Sequence, residues 1–155
     1  MIRSTTTKLA RLVDDCEFLQ DDSVDRLINS DDTDYQERRI REEYITGTTA
    51  TVVLVGIESY QRKFIDWEIY PTLDKQHGLI GVLLPYFRPN PATGKFIVPD
   101  RLYDNIESGY AVWRTLNELA QSQSAVATLR AWIEESLRKD KSLIQNWREK
   151  MTRNR

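Results

Sequence analysis

Ala50-Thr51-Val52-Val53-Leu54-Val55-Gly56 is the stretch on which the fold turns. It is a continuous β-branched run, bounded by polar threonines on one side and a glycine on the other. Such a run fits a strand buried on both faces, as in a parallel sheet covered by helices, because a half-solvated strand would alternate apolar with polar residues. A second run of the same kind, Leu79-Ile80-Gly81-Val82-Leu83-Leu84, ends at Pro85. Between the two, Ser59 to Leu73 has helical spacing. Strand, helix and strand with short connections form a βαβ unit, whose crossover is expected to be right-handed.

Outward from this unit the reading continues in both directions. Ser4 to Asp15 predicts a helix capped by Ser4, with Leu9, Leu12 and Val13 in register. Cys16 to Gln20 is a short strand candidate, and Ile28 to Asp34 is a polar loop leading to a helix from Tyr35 to Ile45, stopped at Gly47. Pro85 to Pro99 holds four of the five prolines and predicts a long ordered excursion or lid. Tyr110 to Trp113 suggests an edge strand. Ser124 to Lys139 reads as a helix with Val126, Leu129, Ile133 and Leu137 in register, and a last basic helix is expected through Leu143, Ile144 and Trp147. The sum is a three-layer α/β sandwich of flavodoxin-like type with a mostly parallel sheet, over residues 1–139, followed by a basic helical extension at 140–155.

Composition narrows the classes. The chain has 155 residues, 40% hydrophobic and 30% charged, which suits one domain with one core. No apolar run approaches the roughly 20 residues that cross a bilayer, and the N-terminus lacks the apolar block of a secretory signal, so the expectation is a cytoplasmic protein. One cysteine, Cys16, and one histidine, His77, exclude an internal disulfide framework and multi-histidine metal centres. No metal site is expected, since the spacing of Asp21, Asp22, Asp31 and Asp32 is not diagnostic. The net charge of −2 argues against a chain built to grip nucleic acid. Seven Lys/Arg within 138–155 against Asp140 and Glu149 make a local +5. A basic end on an acidic body can be an RNA or phospholipid contact, but it is more often a solvated helix end or a solubilising tail, and it is read so here.

On a helical wheel of Ser59 to Leu73, Tyr60, Phe64 and Trp67 form one apolar stripe and Ile65, Ile69 and Leu73 another. Glu68 falls between them, whereas Asp66 groups with Arg62 and Lys63 elsewhere. A carboxylate on a mostly apolar arc must be paired or used, because taking it out of water costs free energy. Open α/β sheets place ligands at the carboxyl ends of their strands near a topological switch, so Glu68 is the candidate functional acid. Ser59, at the start of the same helix, can cap it or hold a ligand oxygen, with capping the plainer role. Tyr60 and Phe64 can pack in the core or stack on flat rings.

These residues resemble a known family. Thr51-Val52-Val53-Leu54-Val55-Gly56-Ile57-Glu58-Ser59-Tyr60, then Arg62-Lys63-Phe64-Ile65-Asp66-Trp67-Glu68-Ile69, then Gly78-Leu79-Ile80-Gly81-Val82, look like the TIR-like proteins that include the sensor subunit of the Thoeris anti-phage system. Ile97 to Asn105 is similar to a branch of them, and the likeness spans roughly Ser30 to Trp113. The resemblance implies cleavage of NAD, as substrate and not cofactor, to nicotinamide and ADP-ribose or a cyclic ADP-ribose signal. In that family a glutamate four residues after an aromatic is essential, and Glu68 after Phe64 has this spacing, with Phe where members have Trp. Ser59, Tyr60 and Phe64 are then the expected substrate contacts. Other TIR-like protomers and an effector reached through the nucleotide signal are the expected partners. The alternative is a catalytically silent TIR-like interaction module.

The family's first buried strand has no counterpart here, since only Met1-Ile2-Arg3 precedes the first predicted helix. The expectation is a sheet with that strand missing. Either the start is truncated, or another chain fills the gap, or the architecture is rearranged, and Val52 and Leu54 should then expose apolar surface.

Overall fold

The computed structural model describes Tyr35, Arg38 and residues 49–155. The helix read at Ser4–Asp15, the strand at Cys16–Gln20, the loop at Ile28–Asp34 and the missing first strand lie outside these residues. Of the helix read from Tyr35 to Ile45, Tyr35 and Arg38 are described, and both are helical.

Strand β1 (Ala50–Val55) pairs in parallel with β2 (Gly78–Leu83), from Ala50 opposite Gly78 to Val55 opposite Leu83. β2 pairs in parallel with β3 (Val112–Thr115), from Ile80 opposite Val112 to Leu83 opposite Thr115. The described sheet has the order β1-β2-β3, without a reversal. All six residues of β2 are buried, as a strand paired on both edges and covered on both faces requires.

Two helices connect the strands. α1 (Lys63–Asp74) links β1 to β2, and α2 (Asp100–Glu107) links β2 to β3. After β3 come α3 (Leu116–Gln121) and α4 (Ala125–Leu137). Thr115 starts α3 with a capping box, its hydroxyl accepting from the Glu118 N–H while the Glu118 carboxylate accepts from the Thr115 N–H. Ser124 caps α4 through the Ala127 N–H.

Because side chains alternate across a strand, the two faces of the sheet build separate cores. Val53, Val55, Leu79 and Leu83 pack with Ile69 and Leu73 of α1 and Leu102 of α2. Ile80, Val82 and Val112 pack with Leu116, Leu119 and Trp132 on the other side. Each fully buried aliphatic among them contributes about 1.5–3 kcal/mol. This is the three-layer α/β sandwich expected of the sequence. Gly81 permits a close approach of β3, since a Cβ there would stand 2.7 Å from the Trp113 ring. Leu54 is 38% exposed and Val52 is partly buried.

Four readings need correction. The helix expected from Ser59 is broken, because Ser59–Gln61 is a single 3-10 turn and Arg62 is extended (φ −87°, ψ 111°) before α1 begins. Tyr60 and Gln61 therefore leave the wheel on which they were placed. The excursion from Pro85 to Pro99 is followed by α2, a crossover helix that periodicity did not reveal. The edge strand is displaced to Val112–Thr115. The basic helical extension at 140–155 has one 3-10 turn, Lys141–Leu143, and is otherwise irregular. It is not a solvated helix end either: residues 144–155 fold back across α1 and α2 as a strap.

Candidate functional site

β1 ends beneath the 3-10 turn that carries Ser59. The Ser59 hydroxyl accepts from the Gly56 N–H at 2.8 Å and donates to the Leu54 carbonyl at 3.3 Å. Its role is to lock the turn at the carboxyl end of β1. It caps no helix, for the residues at the cap positions of the 3-10 turn and of α1 are Glu58 and Arg62, neither making a side-chain cap bond.

Tyr60 projects from the same turn, its hydroxyl accepting from Gln61 Nε2 at 2.6 Å. It lines an open cavity of about 400 Å³ beyond the carboxyl ends of β1 and β2, with Ile57, Tyr86, Phe87, Arg88, Ile97 and the 89–91 segment. The excursion after β2 forms the outer wall. It is closed on itself by the edge-to-face pair Phe87–Phe96 (5.4 Å) and by a turn in which Asn90 Oδ1 accepts from Ala92 N–H and Gly94 adopts φ +65°.

Phe64 and Glu68 lie one turn apart on α1, so they share a flank of the helix. Phe64 packs edge-on against Trp67 at 5.3 Å, with the Lys63 ammonium over both rings. Glu68 is partly buried and has an interaction of its own. Its main chain is tied to the sheet: the buried Thr72 hydroxyl donates to the Glu68 carbonyl and accepts from the Thr51 hydroxyl of β1, both at 2.7 Å. Tyr60 is thus the only one of the four candidates on the cavity wall; Phe64 and Glu68 stand on α1 outside it.

The fully paired acid of α1 is one the wheel had set aside. Asp66 is 6% exposed and faces Arg101 of α2, itself 1% exposed. Arg101 Nε donates to Asp66 Oδ1 at 2.7 Å and Nη2 to Oδ2 at 3.4 Å. Nη1 donates to Asn146 Oδ1 and the Arg148 carbonyl, and Nη2 also to the Glu149 carbonyl. All five guanidinium donors are used, as burial demands. Asn105 extends the network by donating to the Gln145 carbonyl and accepting from the Gln145 N–H. Nearer solvent, Arg148 clamps Asp104, which holds its guanidinium pKa above the ordinary value, and Arg155 pairs with Asp100 at 2.7 Å. A smaller cavity of about 230 Å³ lies within this cluster. The one available signal in the sequence was Arg101 and Asn105, four apart beside the apolar Leu102.

Just before the amino ends of β2 and β3, the Tyr110 hydroxyl donates to the His77 carbonyl at 2.7 Å. Burial, with the charges of Lys75 and Lys141, pushes the His77 pKa below its ordinary value, and burial raises that of Tyr110. Among the described residues no helix is long and apolar enough to cross a membrane.

Comparison with curated proteins and with solved structures gives no significant match. A family model does match: the TIR-like domain of Thoeris protein ThsB, over residues 4–88. That span is more than half of the chain. It contains β1, α1 with Glu68, β2 and the Tyr60 wall of the cavity, in the parallel α/β arrangement of a TIR-like, flavodoxin-like domain. The chain belongs to the Thoeris ThsB TIR-like domain family, and so to the TIR-like proteins of anti-phage defence.

Proposed function

We propose that the protein cleaves NAD at the bond between nicotinamide and ribose, with Glu68 as its essential carboxylate. The observation that carries this reading is Glu68 on the helix that follows the parallel strand β1, one turn beyond an aromatic, in a chain of the Thoeris TIR-like family.

The chemistry asks little of titratable groups. When the C1′–N bond breaks, its electron pair goes to the pyridinium nitrogen, and nicotinamide leaves neutral without a general acid. The sugar develops positive charge in an oxocarbenium-like transition state, the demand that glycosidases meet with carboxylates. Glu68 would stabilise that charge and hold ribose hydroxyls. Tyr60 and Phe64 offer ring faces for the flat ends of the dinucleotide. Ser59 would act through the turn that it locks. Water then adds to C1′ and loses a proton to solvent, giving ADP-ribose, or a nucleophile within ADP-ribose closes a ring and gives a cyclic signal for an effector. The setting would be the cytoplasm, with other TIR-like protomers as partners in assembly.

Incubation with NAD, followed by chromatography of nicotinamide and of the nucleotide product, tests the reading. Glu68→Ala is expected to lower kcat by roughly 10²–10³-fold, the range for loss of a principal electrostatic stabiliser. Equal nicotinamide release by the two proteins would remove Glu68 from the mechanism.

A further inference from the structure

We infer that residues 144–155 are a strap that sets the roll of α1 about its axis and thereby the position of the Glu68 carboxylate, with Arg101 as the positioning residue. This rests on the reading of Glu68 given above.

The strap runs antiparallel to α1 and is bonded to it at four points. Asn146 Nδ2 donates to the Tyr70 carbonyl at 3.2 Å, and the Met151 N–H donates to Asp66 Oδ2 at 2.8 Å. Trp67 Nε1 donates to the Met151 carbonyl at 2.7 Å, and the Lys63 N–H donates to Asn154 Oδ1 at 2.9 Å. Residues 63, 66, 67 and 70 recur at three and four, so the strap holds a single flank of the helix, an arc of about 100°. Arg101 joins the two partners, since it grips Asp66 of α1 and the Asn146, Arg148 and Glu149 oxygens of the strap.

The geometry of the other two arcs makes this a lever. Ile65, Ile69 and Leu73 face the sheet. At about 100° per residue, the strap flank is centred about 110° to one side of that stripe and Glu68 about 100° to the other. The sheet contact is the fulcrum, the strap holds one side, and Glu68 rides on the other. A helix with side chains has a radius of about 5–6 Å, so a roll of about 10° moves the carboxylate by about 1 Å. A displacement of this size can cost about 10²-fold in rate.

The ties to α1 are directional. Trp147 is 69% exposed and Ile144 is partly buried against the core, whereas residues 63, 66, 67 and 70 of α1 are held by hydrogen bonds. Hydrogen bonds fix orientation, which apolar contact does not.

The test is the double variant Asn146→Ala/Asn154→Ala, which removes two of the four ties and leaves the Asp66–Arg101 pair in place. Arg101→Lys is the second variant, since it keeps the charge but has three donors for five acceptors. Two measurements are made on each, with thermal melting to establish that the protein is folded at the assay temperature. The first is kcat and KM for NAD, where kcat should fall about tenfold or more with KM within about twofold. The second is the carboxyl ¹³C signal of Glu68, assigned by its loss in Glu68→Gln, whose shift and titration midpoint should move. If the parent protein releases no nicotinamide, the catalytic reading fails while a moved Glu68 signal still upholds the strap. An unmoved signal in folded variants overturns the inference, as does an unchanged kcat in an active protein.

Discussion

Replacing Arg101 by alanine should be among the most destabilising single changes in the described part of the chain. The substitution leaves Asp66 at 6% exposure with its guanidinium partner gone, and it strips donors from Asn146 Oδ1 and from the Arg148 and Glu149 carbonyls. Removing one partner of a buried ion pair costs about 3–5 kcal/mol, because the remaining charge is held out of water without compensation. Set against the usual 5–15 kcal/mol of a folded domain, this is a large fraction. With about 2–4 °C per kcal/mol for a chain of this size, the melting temperature should fall by roughly 6–20 °C. Arg148→Ala is the comparison. It removes a pair with Asp104 in which the arginine side chain is 36% exposed, and pairs nearer water are worth at most about 1 kcal/mol. Urea titration followed by tryptophan fluorescence gives both values, since Trp67 donates to the strap and reports its release. If Arg101→Ala and Arg148→Ala lose the same stability within about 0.5 kcal/mol, the argument from burial is wrong.

Two further outcomes follow from single positions. Gly81→Ala should destabilise by about 1–3 kcal/mol, since its Cβ meets the Trp113 ring at 2.7 Å and Leu102 at 3.2 Å; a melting temperature equal to that of the parent would show that Trp113 can move aside. His77 has a folded pKa below its ordinary 6.5, from burial first and then from Lys75 and Lys141. Its contribution is therefore complete above about pH 6.5, is lost as pH falls toward the lowered folded value, and is constant below that. Melting temperatures from about pH 7.5 to about pH 5.5 should decline more steeply for the parent than for His77→Gln, and identical slopes would refute the assignment.

How much was legible in advance depended on how local the signal was. The burial of β2 on both faces was readable, because a strand covered by helices on each side leaves an unbroken apolar run; β1 carries the same pattern but is buried only at Val53 and Val55, with Leu54 exposed on its other face. The helix α4 was readable for the same reason, since Val126, Leu129 and Ile133 recur at helical spacing within one short window. The break at Arg62 was not. A helical wheel assumes continuous helical backbone, and only the hydrogen bonds of the Ser59 hydroxyl to Gly56 and Leu54 show that the chain first closes a tight turn. α2 was also missed. Its buried stripe is Arg101, Leu102 and Asn105, so a charge and an amide occupy places where apolar residues would have declared a helix.

The partners of Asp66 show the same limit most sharply. Periodicity grouped Asp66 with Arg62 and Lys63 away from the apolar arc and made Glu68 the exception, because a wheel ranks positions by the polarity of neighbours on the same helix. Asp66 is in fact buried by groups 35 and 85 residues away, Arg101 and the Met151 N–H, which no local window contains. The same holds for the basic end: seven positive charges read as a solvated tail, yet Arg148 and Arg155 find Asp104 and Asp100 once α2 is in place. Sequence by itself determined the layers, the parallel strands, the Phe64–Glu68 spacing and the family, all of which are written in short-range pattern. Only the tertiary structure decided how Asp66 is paired and what holds α1, because the partners of a buried polar group are chosen by proximity in space.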